Sequence, residues 1–399
     1  MASIPALVEP AVLRWARESV GLSPLASARR IGVADTRVSD WESGAASPTI
    51  AQLRKAAEVY KRPLAVFFLA EPPTTFDTLR DFRRHVDAVE GEWSPELHAE
   101  YRRALHQREQ LLELYDVDDR EPSEDWQISW LPESDTELSH IARQKIIGFM
   151  PSELPIMGGG NKYAHLNLWI SGLEEAGVLV MATAGGKVSP KEMRALSLHF
   201  ETLPVIMVNG ADSARGRLFS LLHEYAHLLL HTGGLCDTIS DLRTTSPDRK
   251  LEARCNAIAA AILMPKADVL RRPQVIARKG DPTSWDYDAL RSAAAAFGVS
   301  AEAFLRRLVT LGLVDRKFYS ARRSEFIAAY EEEERKDRPT GGSWYLNTVR
   351  DLGKGYVRQV ADAHRRRVID SFTAASYLDV KVTQIPKLAA KASLAQGVE

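Results

Sequence analysis

From residue 10 to residue 70 apolar residues recur at helical spacing, and Gly21, Gly32 and Gly44 interrupt them. The pattern predicts a string of short helices, with Pro48 and Pro63 each near the start of a new one. Spacing assigns Leu25, Ala28, Ile31, Val38 and Trp41 to the core of this segment. The composition of Glu71-Pro72-Pro73-Thr74-Thr75 marks a linker. A charged helix follows from Ser94 to Tyr115, opened by Ser94-Pro95-Glu96 and apolar along Leu97, Tyr101, Leu105, Leu111 and Leu112. The polar run Asp116 to Asp125 breaks it.

Residues 139 to 178 read as two helices around Met157-Gly158-Gly159-Gly160. The period then changes: Val178 to Met181, Ala195 to Phe200 and Pro204 to Asn209 are short β-branched or alternating runs, and predict three strands of a small sheet. Helices are expected from Ser213 to His231 and from Asp248 to Leu263. Helical patterning continues from Lys266, broken at Gly280, Gly298, Gly312 and Gly341-Gly342. No repeat of fixed period is present. The expected class is mainly α with a small β-sheet (α+β).

A chain of 399 residues suggests two or three domains. Lys and Arg total 52 against 53 Asp and Glu, which excludes a polycation that coats nucleic acid but permits a local basic patch. Two cysteines, Cys236 and Cys255, cannot build a disulfide framework or a Cys-rich zinc module, and fit a reducing compartment. Glu9, Arg14 and Arg17 interrupt any signal-like start, and no apolar run approaches the roughly 18 residues that span a bilayer. The expectation is a soluble cytoplasmic protein with no membrane partner.

The strongest chemical signal is His223-Glu224-Tyr225-Ala226-His227. Residues four apart share a helix face, so His223 and His227 can offer two imidazoles to one zinc ion. Glu224, beside the first histidine, can act as general base on a water whose acidity the metal raises. A catalytic zinc needs a third protein ligand. Glu252 and Asn256 share a face of the next helix, as ligand and supporting residue, although a solvated Glu252 fits the pattern equally well. His231 lies one turn past His227 and reads as a supporting or core residue. Asp237, Asp241 and Cys236 are weaker loop candidates, and Cys255 reads as a small buried residue.

The run Pro204 to Asn209, the run Arg217 to His231, and Glu252 to Asn256 followed by Ala259 and Ile262-Leu263-Met264-Pro265 together resemble the ImmA/IrrE family of metallo-endopeptidases. The resemblance is sharp over residues 195 to 266 and looser over 76 to 194 and the C-terminal region. It implies a zincin-like domain in which His223, His227 and Glu252 bind zinc and Glu224 is the base. It also implies a protein substrate, such as a DNA-bound repressor, or an antitoxin role beside a toxin. Tyr225, Ala226 and Cys255 depart mildly from the family's usual residues.

Leu22 to Val33 and Ala34 to Gly44 look like the first helix, turn and recognition helix of a helix-turn-helix, and residues 11 to 70 resemble the XRE/phage-repressor family. That resemblance implies five helices, a structural pair between Arg17 and Glu42, and base contact by Asp35, Thr36, Arg37 and Asp40. Two of those four are acidic, so non-specific affinity for phosphate should be weak. Pro24 stands where the family often has a phosphate donor. Nine Lys/Arg against six Asp/Glu over residues 1 to 70 only modestly favour DNA. Dimerisation on a palindromic operator is one expectation, and use of the helical fold for protein contact is the other.

In the C-terminal third, Leu290 to Leu311 repeats a helix-turn-helix-like pattern with Ser300 as cap, and reads as a core or docking element. Glu331 to Glu334 and Arg365 to Arg367 read as solvated faces. Trp344-Tyr345 reads as a loop, Phe372 to Leu388 as a small terminal contact unit, and the tail after Lys391 as disordered. The expected division is 1–70 helix-turn-helix domain, 71–130 linker and helical connector, 131–270 zinc peptidase domain and 271–399 helical region. The expected function is a transcriptional regulator with a zinc-dependent endopeptidase acting on a regulatory protein. The alternative is an antitoxin or autorepressor that binds operator DNA and a cognate toxin, with a structural or inactive zinc site.

Overall fold

Capping residues fix where the N-terminal helices begin. The computed structural model describes residues 5–73, 93–155, 163–231, 234–236, 246–279, 281, 283–336 and 343–393. Of its two compact units, the first runs Met1–His106 and the second Gln107–Glu399. The first holds α1 (Pro10–Glu18), α2 (Pro24–Ile31), α3 (Arg37–Glu42) and α4 (Ile50–Tyr60). The Ser23 hydroxyl accepts the Ala26 N–H at the start of α2, and Gly32, at φ 79°, ends it in the left-handed region that favours glycine. Thr49 and Gln52 form a reciprocal capping box on α4. The fifth element is a 3₁₀ turn, Leu64–Phe68, rather than a full helix.

Ala28, Ile31, Val38 and Trp41 are buried as their spacing predicts, with Leu13, Leu53 and Phe67 packed among them. Leu25 is a correction: it is 43 % exposed. The buried face of α2 runs through Ser27, Ala28 and Ile31, and at about 100° per residue Leu25 stands about 200° round from Ser27. The expected Arg17–Glu42 pair is present. Arg17 Nε and Nη2 donate to the two Glu42 oxygens at 2.6 and 2.9 Å, and Nη1 donates to Leu22 O at 2.7 Å.

In the second unit all three predicted strands form, slightly shorter than their apolar runs: β1 (Leu179–Ala182), β2 (Ala195–Leu198) and β3 (Val205–Val208). A fourth, β4 (Gly234–Cys236), has too short a run to betray itself in sequence. The order is β1-β3-β2-β4, with β1 parallel to β3 and the other pairings antiparallel. Every position of β1, β2 and β3 is buried, so helices cover both faces. The helix Ala214–Leu229 packs on β2 and β3, and the helix Ser246–Leu263 packs on it in turn.

The C-terminal helices close the free edge of β1, against which Trp344–Leu352 and Lys354–Arg365 both pack. Gly353 forms their corner at φ 93°, so close to the strand that a Cβ there would fall 2.1 Å from Val180 O. Trp344 and Tyr345 therefore open a helix and are not a loop. Helices Tyr287–Ala295 and Ala301–Thr310 meet at the Ser300 cap, and Leu290, Phe304, Leu305 and Leu308 join the main core, which makes the pair a packing element. Among the described residues no helix is long and apolar enough to cross a membrane. Thr74-Thr75, Met157 to Gly160, Asp237, Asp241, Gly280, Gly341-Gly342 and the tail beyond residue 393 lie outside the described residues.

Candidate metal centre

The chain enters the motif helix through a buried asparagine. Asn209 Nδ2 donates to Val188 O and Met193 O at 3.1 and 2.7 Å, and its Oδ1 accepts the Ala211 N–H at 2.8 Å. The Ser213 hydroxyl then caps the helix Ala214–Leu229 by accepting the Gly216 N–H. The sheet on one side and the helix Ser246–Leu263 on another leave His223, Glu224 and His227 at most 2 % exposed. Buried ionisable groups this dense are costly unless something compensates them.

Glu252 comes in from the second helix. Its Oε2 lies 3.2 Å from His223 Nε2 and its Oε1 lies 3.3 Å from His227 Nε2, while the two Nε2 atoms stand 3.1 Å apart. His223 Nδ1 faces Asn256 Oδ1 at 3.1 Å, so the ring donates there and its Nε2 turns a lone pair inward. Three acceptor atoms cannot converge like this bare; a proton or a cation must lie among them. Zinc ligands at about 2.1 Å in a tetrahedral shell stand about 3.4 Å from one another, close to the spacing seen here. The donor set therefore fits zinc. Among the described residues His223, His227 and Glu252 are the group able to hold a metal ion. Burial pushes the Glu252 carboxyl up, but the His223 and His227 rings beside it, when they carry a proton, outweigh this and hold it at about 2.

Glu224 is fully buried, and burial pushes its carboxyl above the usual range against the pull of His227, His223 and a hydroxyl. That hydroxyl is Ser197 on β2, whose Oγ donates to Glu224 Oε2 at 2.6 Å. Glu224 Oε1 is buried and has no hydrogen-bond partner among the described residues. The orphaned oxygen suits a carboxylate that takes and returns a proton.

The other expected residues fall in several places. His231 stands apart from the metal-binding group: the helix ends at Leu229, and φ 55° at His231 turns its ring to His199, 3.0 Å away between Nε2 and Nδ1. Cys255 is buried, as expected. Tyr225, unusual at its motif position, is fully buried and donates its hydroxyl to Trp126 O at 2.9 Å. The sequence reading missed Ser197 and His199; the signal available was a lone hydroxyl in an otherwise apolar strand, then a histidine just past its end. In the first unit Asp35 and Thr36 are exposed at the entry to α3, and Arg37 and Asp40 are half-buried in its first turn. Asp35 lies 3.8 Å from Arg29.

Two structural classes thus stand on one chain, a helix-turn-helix unit and a metallopeptidase-like domain. Residues 13–67 match the helix-turn-helix family, and residues 173–309 match the IrrE N-terminal-like domain family. An XRE-type helix-turn-helix match and an ImmA/IrrE-like metallopeptidase match thus lie on one chain, a combination that suggests a regulator. Among curated proteins none matches it.

Proposed function

We propose that the chain is an operator-binding regulator whose second domain is a zinc-dependent endopeptidase acting on a regulatory protein. The observation that carries this reading is the convergence of two buried histidines, His223 and His227, with the half-buried Glu252, 3.1–3.3 Å apart, beside a carboxylate with one oxygen unpartnered among the described residues. His223, His227 and Glu252 hold the metal, and Asn256 fixes the ring of His223. Zinc, when bound, supplies a Lewis acid that acidifies water and polarises a peptide carbonyl. Glu224 takes the proton of the attacking water on Oε1 and returns it to the departing amine nitrogen, so the peptide bond breaks with one water consumed. In the first unit Asp35, Thr36, Arg37 and Asp40 face the bases, and a homodimer reads the two halves of a palindrome.

The test compares the wild type with Glu224→Gln in an extract of the cells that encode the protein, quantifying new protein N-termini with and without zinc. The wild type is expected to produce a small set of zinc-dependent cleavages, slowed at least about 100-fold in Glu224→Gln. Identical N-termini from both proteins overturn the endopeptidase reading and leave an operator- and toxin-binding antitoxin as the better account.

A further inference from the structure

We infer that Ser197 is a positioning residue for Glu224: its hydroxyl holds one carboxylate oxygen so that the other is presented to the attacking water. The inference rests on the endopeptidase reading and deepens it.

Ser197 is the sole polar residue of β2, whose sequence is Ala-Leu-Ser-Leu, and every residue of the strand is buried. A hydroxyl in so apolar a setting costs free energy unless it is bonded. Its backbone is fixed from both sides, because Ser197 pairs with Ile206 of β3 and with Gly234 of β4. Its Oγ reaches across to the motif helix and donates to Glu224 Oε2 at 2.6 Å, the short distance typical of a hydroxyl on an ionised carboxylate. Glu224 Oε1 lacks any such partner among the described residues. The two oxygens are therefore unequal: one is tied to the sheet and one is left for the proton in transit. Fixing a rotamer from a rigid strand is how a supporting side chain preorganises a base.

A merely structural serine would satisfy a buried carboxylate and affect stability alone. The experiment separates the two roles. A peptide spanning the bond cleaved in the extract is assayed with the wild type, Ser197→Ala, Ser197→Thr and Glu224→Gln, each carrying zinc. Ser197→Ala is expected to bind zinc in full and to lose about 10- to 100-fold in kcat, with KM within about twofold, the effect of losing one hydrogen bond to a charged group. Ser197→Thr keeps the hydroxyl and is expected to recover kcat to within about threefold of the wild type, since a β-branched residue suits the strand. Adding Ser197→Ala to Glu224→Gln is expected to slow the reaction no further, because the two side chains act as one unit.

Urea unfolding of the zinc-free proteins gives a readout independent of activity. Ser197→Ala and Glu224→Ala are expected to be non-additive in the double variant, and additivity means the bond is absent and overturns the proposal. Wild-type cleavage matched by Ser197→Ala at unchanged kcat overturns this proposal alone. No zinc-dependent cleavage by the wild type overturns the endopeptidase reading and this inference with it.

Discussion

In the helix-turn-helix unit the buried charges close on one another; in the metallopeptidase-like domain they converge without closing. Arg17 and Glu42 meet through two hydrogen bonds, the third guanidinium nitrogen donates to Leu22 O, and Nη2 also reaches Glu18. Little is left over, and the pair clamps α1 to α3. At the other centre two imidazole nitrogens and a carboxylate point at one another, and Glu224 keeps a buried oxygen with no partner among the described residues. A fold does not retain such an arrangement for stability, because an unpaired buried group costs more than it returns. The contrast separates a polar cluster that holds structure from one whose donor set could hold a metal ion.

Three variants can break the contrast, in falling order of size. Glu42→Ala leaves Arg17 buried without its partner and is expected to lower unfolding free energy by about 3–5 kcal/mol in urea titration. A loss under about 1 kcal/mol would mean that the pair does not clamp the unit. Asn256→Ala removes the acceptor that sets the His223 ring and is expected to weaken zinc by about 10- to 100-fold in competition with a chelator, with the fold intact. An unchanged affinity would detach Asn256 from the centre. Glu224→Gln keeps the acceptor for Ser197 and removes a buried charge. In the zinc-free protein it is therefore expected to leave stability unchanged or raise it by up to about 1 kcal/mol. A clear loss of stability would make Glu224 a structural residue like Glu42.

Much of this was legible in the sequence where local rules govern. The spacing of His223 and His227 specifies a shared helix face, Ser213 and the Ser300 cap mark helix starts, and three apolar runs yield three strands. What escaped depends on tertiary contact. Leu25 has a plausible spacing, yet α2 turns Ser27 inward in its place. His231 continues the i, i+4 series, but the helix stops two residues short of it and the backbone turns away. β4 is three residues long and takes its identity from pairing with β2. Ser197 acquires its meaning only when β2 is laid beneath the motif helix, bringing together side chains 27 positions apart. The covering of the β1 edge by Gly353 and its flanking helices depends on contacts across most of the domain.

The central claim is that His223, His227 and Glu252 form a zinc site. Its most direct test is zinc per chain by elemental analysis, on the wild type and on Glu252→Ala, both purified without a metal-affinity tag. The account predicts about one zinc per wild-type chain, lost or sharply reduced in the variant while the fold persists. A wild type free of zinc after supplementation, or a variant that retains the full complement, would contradict it.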